Sequence, residues 1–248
     1  MKSVLAVFVL LAMLTTGGVA QAAMYADIAF MVDQTGSMDG EFNWIGNSLD
    51  DLGTAVGNAG ITARYGIAGY ESLAGSDDPR NVWKDLPSTQ QEVVDIASAI
   101  TSLDTYGATE NSFNAAMWAV NNFSWSGGDY AKILILITDE DVDDYQQATE
   151  TGLGQLMAQN NVLLNVITYQ GYFTQWDEAV YSTNDGYLGL FDLSYLQTDP
   201  DAFTADFIAA KTAEIQDYDP SAVPEPTTVL LMGLGLLGLV GLRRKLSA

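Results

Sequence analysis

Apolar residues along the chain gather into short runs separated by segments of helical spacing. Ala26 to Val32 is the first run, and Ala63 to Tyr70 the second, thinned by Gly66 and Gly69. Ile133-Leu134-Ile135-Leu136-Ile137 is the third and strongest, and Val162-Leu163-Leu164-Asn165-Val166-Ile167 the fourth. The last two lack polar alternation, the pattern of strands covered by helices on both faces. Phe42, Ile45, Leu49 and Leu52 recur at helical spacing after the first run. Thr89-Gln90-Gln91-Glu92 is a capping-box pattern opening a segment with Val93, Ile96, Ala97, Ile100 and Leu103. Further helices are predicted over Asn111 to Val120, over Tyr145 to Met157, and from Pro200 through Phe203, Phe207, Ile208 and Ile215. Gly75 to Pro79 and Gly127 to Asp129 read as turns. No internal repeat is visible. Alternating strands and helices predict an α/β fold: a doubly wound, mainly parallel central sheet flanked by helices.

The two ends carry different patterns. Lys2 precedes an apolar stretch from Val4 to Leu14, and Ala20-Gln21-Ala22 follows. A basic start, a short apolar core and an Ala-x-Ala exit are those of a secretory signal helix cut after Ala22. A buried N-terminal helix or a short anchor is the alternative. At the other end Val223-Pro224-Glu225-Pro226 leads into an apolar stretch, Thr227 to Leu242, and then Arg243-Arg244-Lys245. As a helix this stretch is about 24 Å long, against roughly 30 Å of hydrocarbon in a bilayer. Its basic end would stay cytoplasmic. Pro-Glu-Pro, a Gly- and Leu-rich transmembrane helix and a basic terminus, in that order, resemble the PEP-CTERM sorting signal of Gram-negative bacteria. The resemblance implies processing by an exosortase. A plain C-terminal membrane anchor is the other reading. The organisation expected is therefore a signal peptide over 1–22, a domain over 23–220, a linker over 221–226 and a sorting or anchor segment over 227–248.

Charge sharpens this picture. The 248-residue chain has a net charge of −23. All 32 acidic residues lie within residues 23–226, with Arg64, Arg80, Lys84, Lys132 and Lys211 as the only basic residues there. Such a surface repels nucleic-acid phosphates and anionic lipid, so no nucleic-acid partner is expected. The chain contains no His and no Cys. That excludes a Cys or His nucleophile, a Ser-His-Asp triad, a soft-metal site and any disulfide. Any special chemistry must use oxygen ligands.

Oxygen-bearing side chains cluster where the predicted strands end. Asp33 closes the first run, with Thr35 and Ser37 in the next loop. Thr138-Asp139 closes the third run, and Thr109 lies in the polar loop before the Asn111 helix. Open α/β sheets bind ligands outside the carboxyl ends of their strands, at a switch point. If the first and third strands are neighbours, these loops converge. Two carboxylates and three hydroxyls, with water, suit Mg²⁺ or Mn²⁺, with Ca²⁺ as a further candidate.

This pattern resembles the von Willebrand factor type A (vWA) domain and its metal ion-dependent adhesion site, MIDAS. Asp33-x-Thr35-x-Ser37 is similar to the first-loop signature Asp-x-Ser-x-Ser, with Thr for the middle Ser. Thr109 matches the second-loop Thr and Asp139 the third-loop Asp. The resemblance implies a Rossmann-like fold, metal ligands Asp33, Thr35, Ser37, Thr109 and Asp139, and an open coordination position that an acidic group of a partner often fills. The third loop departs from the pattern in its surplus of acid, Asp139, Glu140, Asp141, Asp143 and Asp144.

Plainer readings stand beside each of these. Asp33, Thr35 and Ser37 also suit a strand-to-helix turn with an N-cap. The acidic run is otherwise a solvated loop, and Glu110 a helix N-terminal charge. Tyr169, Tyr172, Phe173 and Trp176 form either an aromatic binding platform or ordinary packing. Trp44 and Trp118 read as core. The function expected is an exported, surface-associated, metal-dependent adhesion domain for a protein or polysaccharide. It would be held at the inner membrane by its C-terminal helix before processing, then displayed on the cell surface or in the extracellular matrix. A structural matrix or biofilm component is the alternative. An enzyme is not expected; a metal-dependent hydrolase would need Glu110 or Asp141 as base.

Overall fold

A computed structural model describes residues 24–34, 38–70, 83–100, 111–128, 130–142, 148–181 and 189–217. Both terminal segments, with the expected signal helix and C-terminal transmembrane helix, lie outside these residues. Among the described residues no helix is long and apolar enough to cross a membrane.

Four apolar runs form the strands expected of them: β1 (Met24–Asp33), β2 (Ile61–Tyr70), β4 (Tyr130–Ile137) and β5 (Val162–Thr168). Two further strands, β3 (Trp83–Ser88) and β6 (Leu190–Asp192), complete a six-stranded sheet of order β3-β2-β1-β4-β5-β6. Every neighbouring pair is parallel except β2–β3. Pro87 has no N–H to donate, which suits β3's place at the edge.

Helices cover both faces. On one side lie α1 (Asp39–Asn58), α2 (Gln90–Ile100), α6 (Leu193–Thr198) and α7 (Pro200–Asp217). Their Ile45, Leu49, Val93, Leu193, Phe203 and Phe207 pack on Ile28, Phe30, Ile133 and Ile135. On the other side lie α3 (Ser112–Asn122), α4 (Glu150–Asn160) and α5 (Asp177–Tyr181). Phe113, Ala116, Leu153, Met157 and Val180 pack there on Ala29, Met31, Leu134 and Leu164. Burial on both faces explains why β4 and β5 lack alternation. Each fully buried Leu or Ile contributes about 1.5–3 kcal/mol.

Local chemistry sets the helix starts. Thr89 N donates to Glu92 Oε2 at 2.9 Å and Glu92 N to Thr89 Oγ1 at 3.3 Å, so the capping box opens α2 as expected. Thr149 Oγ1 accepts from Gly152 N at 3.1 Å, so α4 starts at Glu150. The expected start at Tyr145 lies outside the described residues. Asn161, at φ 53°, stops α4 in the left-handed conformation that Asn tolerates. Trp44 is core, 8% exposed, and its Nε1 donates to Thr204 Oγ1 at 2.8 Å. Trp118 is half-buried against the α3–α4 layer.

Candidate metal centre at the switch point

β1 lies between β2 and β4, so chain connections leave it in opposite directions and a crevice opens at the carboxyl ends of β1 and β4. Asp33 is the last residue of β1 and has no exposed surface. Val32 is in register with Ile137, so Thr138 follows beside Asp33 on the next strand. Thr138 Oγ1 donates to Asp33 Oδ2 at 2.9 Å. Thr138 N donates to Ile167 O at 3.1 Å, which anchors the third loop on β5. Gln34 N donates to Tyr70 O at 2.7 Å and fixes the first loop on the other side.

The second loop leads into the same edge. Asp33 is in register with Tyr70, whose hydroxyl shares a 3.0 Å hydrogen bond with Ser112 Oγ in the first turn of α3. Thr109 lies just ahead of that turn in sequence but, like Thr35 and Ser37, falls outside the described residues, as do Glu110, Asp143 and Asp144. Of the five expected ligands the structure therefore describes Asp33 and Asp139, at the ends of adjacent strands.

Asp139 carries an unsatisfied atom. Its Oδ1 is buried and has no hydrogen-bond partner among the described residues. A buried acceptor without a partner costs about 1–3 kcal/mol, and more for a charged group. A hard cation beside Asp33 and Asp139 would relieve that cost, so the donor set fits a metal of oxygen preference. Among the described residues no three acidic side chains converge on a shared metal position.

Several neighbours of this edge escaped the sequence reading. Thr168, fully buried at the end of β5, also has an Oγ1 without a hydrogen-bond partner among the described residues. Glu41, in the first turn of α1, is 2% exposed and accepts from Gln197 Nε2 at 3.0 Å. Gln197 also bonds the Tyr169 hydroxyl, at 3.2 Å. Only the acidic side chain so early in α1 hinted at Glu41; its partner is remote in sequence.

The aromatic cluster after β5 divides into two parts. Trp176 is fully buried and meets Phe113 edge-on at 4.9 Å, so it is core. Tyr169, Tyr172 and Phe173 are half-buried along the 3₁₀ turn Gln170–Gln175 and its N-terminal flank. Val142 N donates to Gln175 Oε1 at 2.8 Å and ties this turn to the acidic loop. Desolvation pushes the Tyr172 phenol up from its ordinary value, and the charges of Asp141, Glu140 and Asp139 push it further.

A family model, the von Willebrand factor type A domain, matches residues 27–182. The chain belongs to the vWA family. β6, α6 and α7 lie beyond the matched part and close the sheet on the α1 side. A second family model, the PEP-CTERM protein-sorting motif, matches residues 222–245 and marks an exported, surface-targeted protein. No curated protein matches the sequence.

Solved structures share the vWA fold at low identity. The pilus adhesin SpaC from Lactobacillus rhamnosus GG aligns at TM-score 0.56 and 13% identity, over 79% of this chain and 31% of that one. Its open conformation aligns at 0.51 and 12%, over 79% and 30%. Proximal thread matrix protein 1 from the mussel byssus aligns at 0.51 and 13%, over 78% and 47%. The chain thus spans between 30% and 47% of the length of these structures.

Proposed function

We propose that this vWA domain is a surface-displayed binding module that engages a protein or polysaccharide through a divalent cation. Mg²⁺ or Mn²⁺ would be held by Asp33, Thr35, Ser37, Thr109 and Asp139. The observation that carries this reading is the buried Oδ1 of Asp139, without a hydrogen-bond partner among the described residues, just past the end of the strand that pairs with the one closed by the buried Asp33. Bound there, the cation supplies positive charge and a coordination position for an oxygen ligand. The domain's own residues do the rest. Thr138 orients Asp33, the Tyr70–Ser112 bond draws α3 toward the edge, and Tyr169 and Tyr172 offer half-buried rings alongside.

The acidic third loop shapes partner choice. A carboxylate approaching Asp139, Glu140 and Asp141 meets repulsion unless the bound cation offsets it. Binding of an acidic ligand should therefore depend on metal more steeply than binding of a neutral sugar.

The sorting motif supports processing by an exosortase, with membrane attachment through the C-terminal helix before it. The adhesin among the structural neighbours agrees with the adhesion reading; the byssus matrix protein keeps a structural matrix role as the second reading. Domain limits of 23–220, with 221–226 as linker, complete the proposal.

Titration calorimetry with Mg²⁺ and Mn²⁺ tests it. We expect one site per chain in the wild type and none in Asp33→Ala. Absence of binding, or equal binding by the variant, overturns the metal reading. A chelator-insensitive surface assembly that tolerates Asp33→Ala favours the matrix role.

A further inference from the structure

On the side of the sheet covered by α1 and α7, three polar side chains are sealed inside an apolar core. Asn165 sits in mid-β5 and is fully buried; Lys211 and Glu214, one turn apart on α7, are each 1% exposed. Lys211 Nζ hydrogen bonds to Asn165 Oδ1 and lies 2.7 Å from Glu214 Oε2. The amine thus rests against the Asn165 carboxamide with a carboxyl group beside both. The Phe191 ring lies 5.1 Å from Nζ, and Phe191 packs edge-on against Phe207 at 5.0 Å.

As a salt bridge this arrangement is poorly completed. Asn165 Nδ2 and Glu214 Oε1 are buried without hydrogen-bond partners among the described residues. Burying an ion pair with unsatisfied atoms costs free energy that an apolar set of the same volume would not. As a reaction centre the arrangement has its parts in place. Burial pushes the Lys211 amine down and the Glu214 carboxyl up, and each partner's charge only partly opposes this. Both burial effects favour the neutral pair: an unprotonated amine, which is nucleophilic, and a protonated carboxyl, which can polarise the carboxamide. The Asn165 side chain also lies near enough to Glu214 to influence its proton affinity.

We propose that Lys211 and Asn165 join in an intramolecular amide bond, formed inside the folded domain with Glu214 as the proton carrier. Lys211 Nζ attacks Cγ of Asn165 and a C–N bond forms. Glu214 donates its proton to the carboxamide and receives one from the attacking nitrogen. The Cγ–Nδ2 bond breaks and Nδ2 leaves as ammonia. One amine and one carboxamide become one secondary amide and one ammonia, with no oxidation or reduction. The product staples β5 to α7, across a segment that includes β6 and α6. In an exported chain without a cysteine it would restrain the unfolded state as a disulfide does.

Mass spectrometry of the full chain, recovered after export and cut at acidic residues, decides the matter. No Lys or Arg lies between Lys132 and Lys211, so cutting at basic residues would leave both partners in one peptide. We expect a branched peptide containing Asn165 and Lys211, lighter than its two parts by one ammonia. Lys211→Arg and Glu214→Gln, each compared with wild type by circular dichroism, should yield linear peptides only. Linear peptides of full mass from the wild type overturn the proposal. So does ammonia loss confined to a linear Asn165 peptide, which marks a cyclic imide instead. A branched peptide from Glu214→Gln overturns the role of Glu214.

Discussion

Thr138 Oγ1 donates to Asp33 Oδ2 at 2.9 Å across the central β1–β4 pair, so one strand's terminal hydroxyl holds the other strand's terminal carboxylate. Hydrogen bonds to charged groups contribute about 1.5–3 kcal/mol. We expect Thr138→Val, nearly equal in shape, to lower stability by about 2 kcal/mol in urea unfolding with chelator present. Its affinity for Mg²⁺ should also fall, because Asp33 loses an orienting partner. Unchanged stability and affinity would remove Thr138 from this role.

Asp139 leads to a second expectation. A ligand at about 100 times its dissociation constant stabilises a fold by about 2.7 kcal/mol. Saturating Mg²⁺ should therefore raise the melting temperature of the wild type and leave that of Asp139→Ala unmoved. In chelator the two should melt close together, since Asp139 Oδ1 has no hydrogen bond to lose among the described residues. A Mg²⁺-dependent shift retained in the variant would take Asp139 out of the ligand set.

Far from the metal centre, Asp27 is fully buried in β1 and takes a two-pronged bond from Arg64, Nε to Oδ1 at 2.7 Å and Nη2 to Oδ2 at 2.8 Å. Removing one member of such a pair strands the other's charge, at a cost of about 3–5 kcal/mol for a fully buried pair. Arg64 keeps a quarter of its side chain exposed, so Arg64→Leu should cost about 3 kcal/mol, toward the lower end. The double variant with Asp27→Leu should recover much of that loss. Denaturant unfolding of the three variants as a double-mutant cycle measures the coupling directly.

Glu92 gives the pH dependence. Its carboxylate is held down to about 2, from 4.5, by the Thr89 backbone N–H, then by Lys84 at 2.9 Å, then by the Thr89 hydroxyl. A depressed carboxylate stabilises the fold above its unfolded value and loses that contribution as pH falls through the folded one. The α2 capping box should therefore be fully effective above pH 4.5 and fade toward pH 2. An NMR titration should place the Glu92 midpoint near 2, and Lys84→Ala should raise it. A midpoint at 4.5 in the wild type would refute the box's electrostatic role.

Much of the architecture is legible along the chain because its signals are local. Ile133 to Ile137 and Val162 to Ile167 are uninterrupted apolar runs, and they form the doubly covered strands β4 and β5. Thr89 and Glu92 cap α2 because their spacing is that of one helical turn. Other features left little trace. β3 carries a proline and three polar residues, and β6 has three residues, too few for a period. Trp176 stood among surface-like aromatics, and only its contact with Phe113 makes it core. Asn165 was visible as one polar residue in an apolar run, but its partners lie on a helix 46 residues away.

The sequence by itself determined the α/β class, the acidic and cysteine-free character, the sorting motif, and which oxygen-bearing residues at the strand ends are the candidate ligands. Each of these is written in composition or in spacings of a few residues. Tertiary structure alone decided that β1 and β4 are neighbours, which sets Asp33 beside Thr138, with Asp139 the next residue along. It alone decided that Lys211, one of the few basic residues of the domain, points inward at Asn165 and Glu214. The reason is physical: hydrophobic periodicity specifies which face of an element is buried, but not which other element covers it. Pairing across the sheet, and with it both polar centres, emerges only when the layers close.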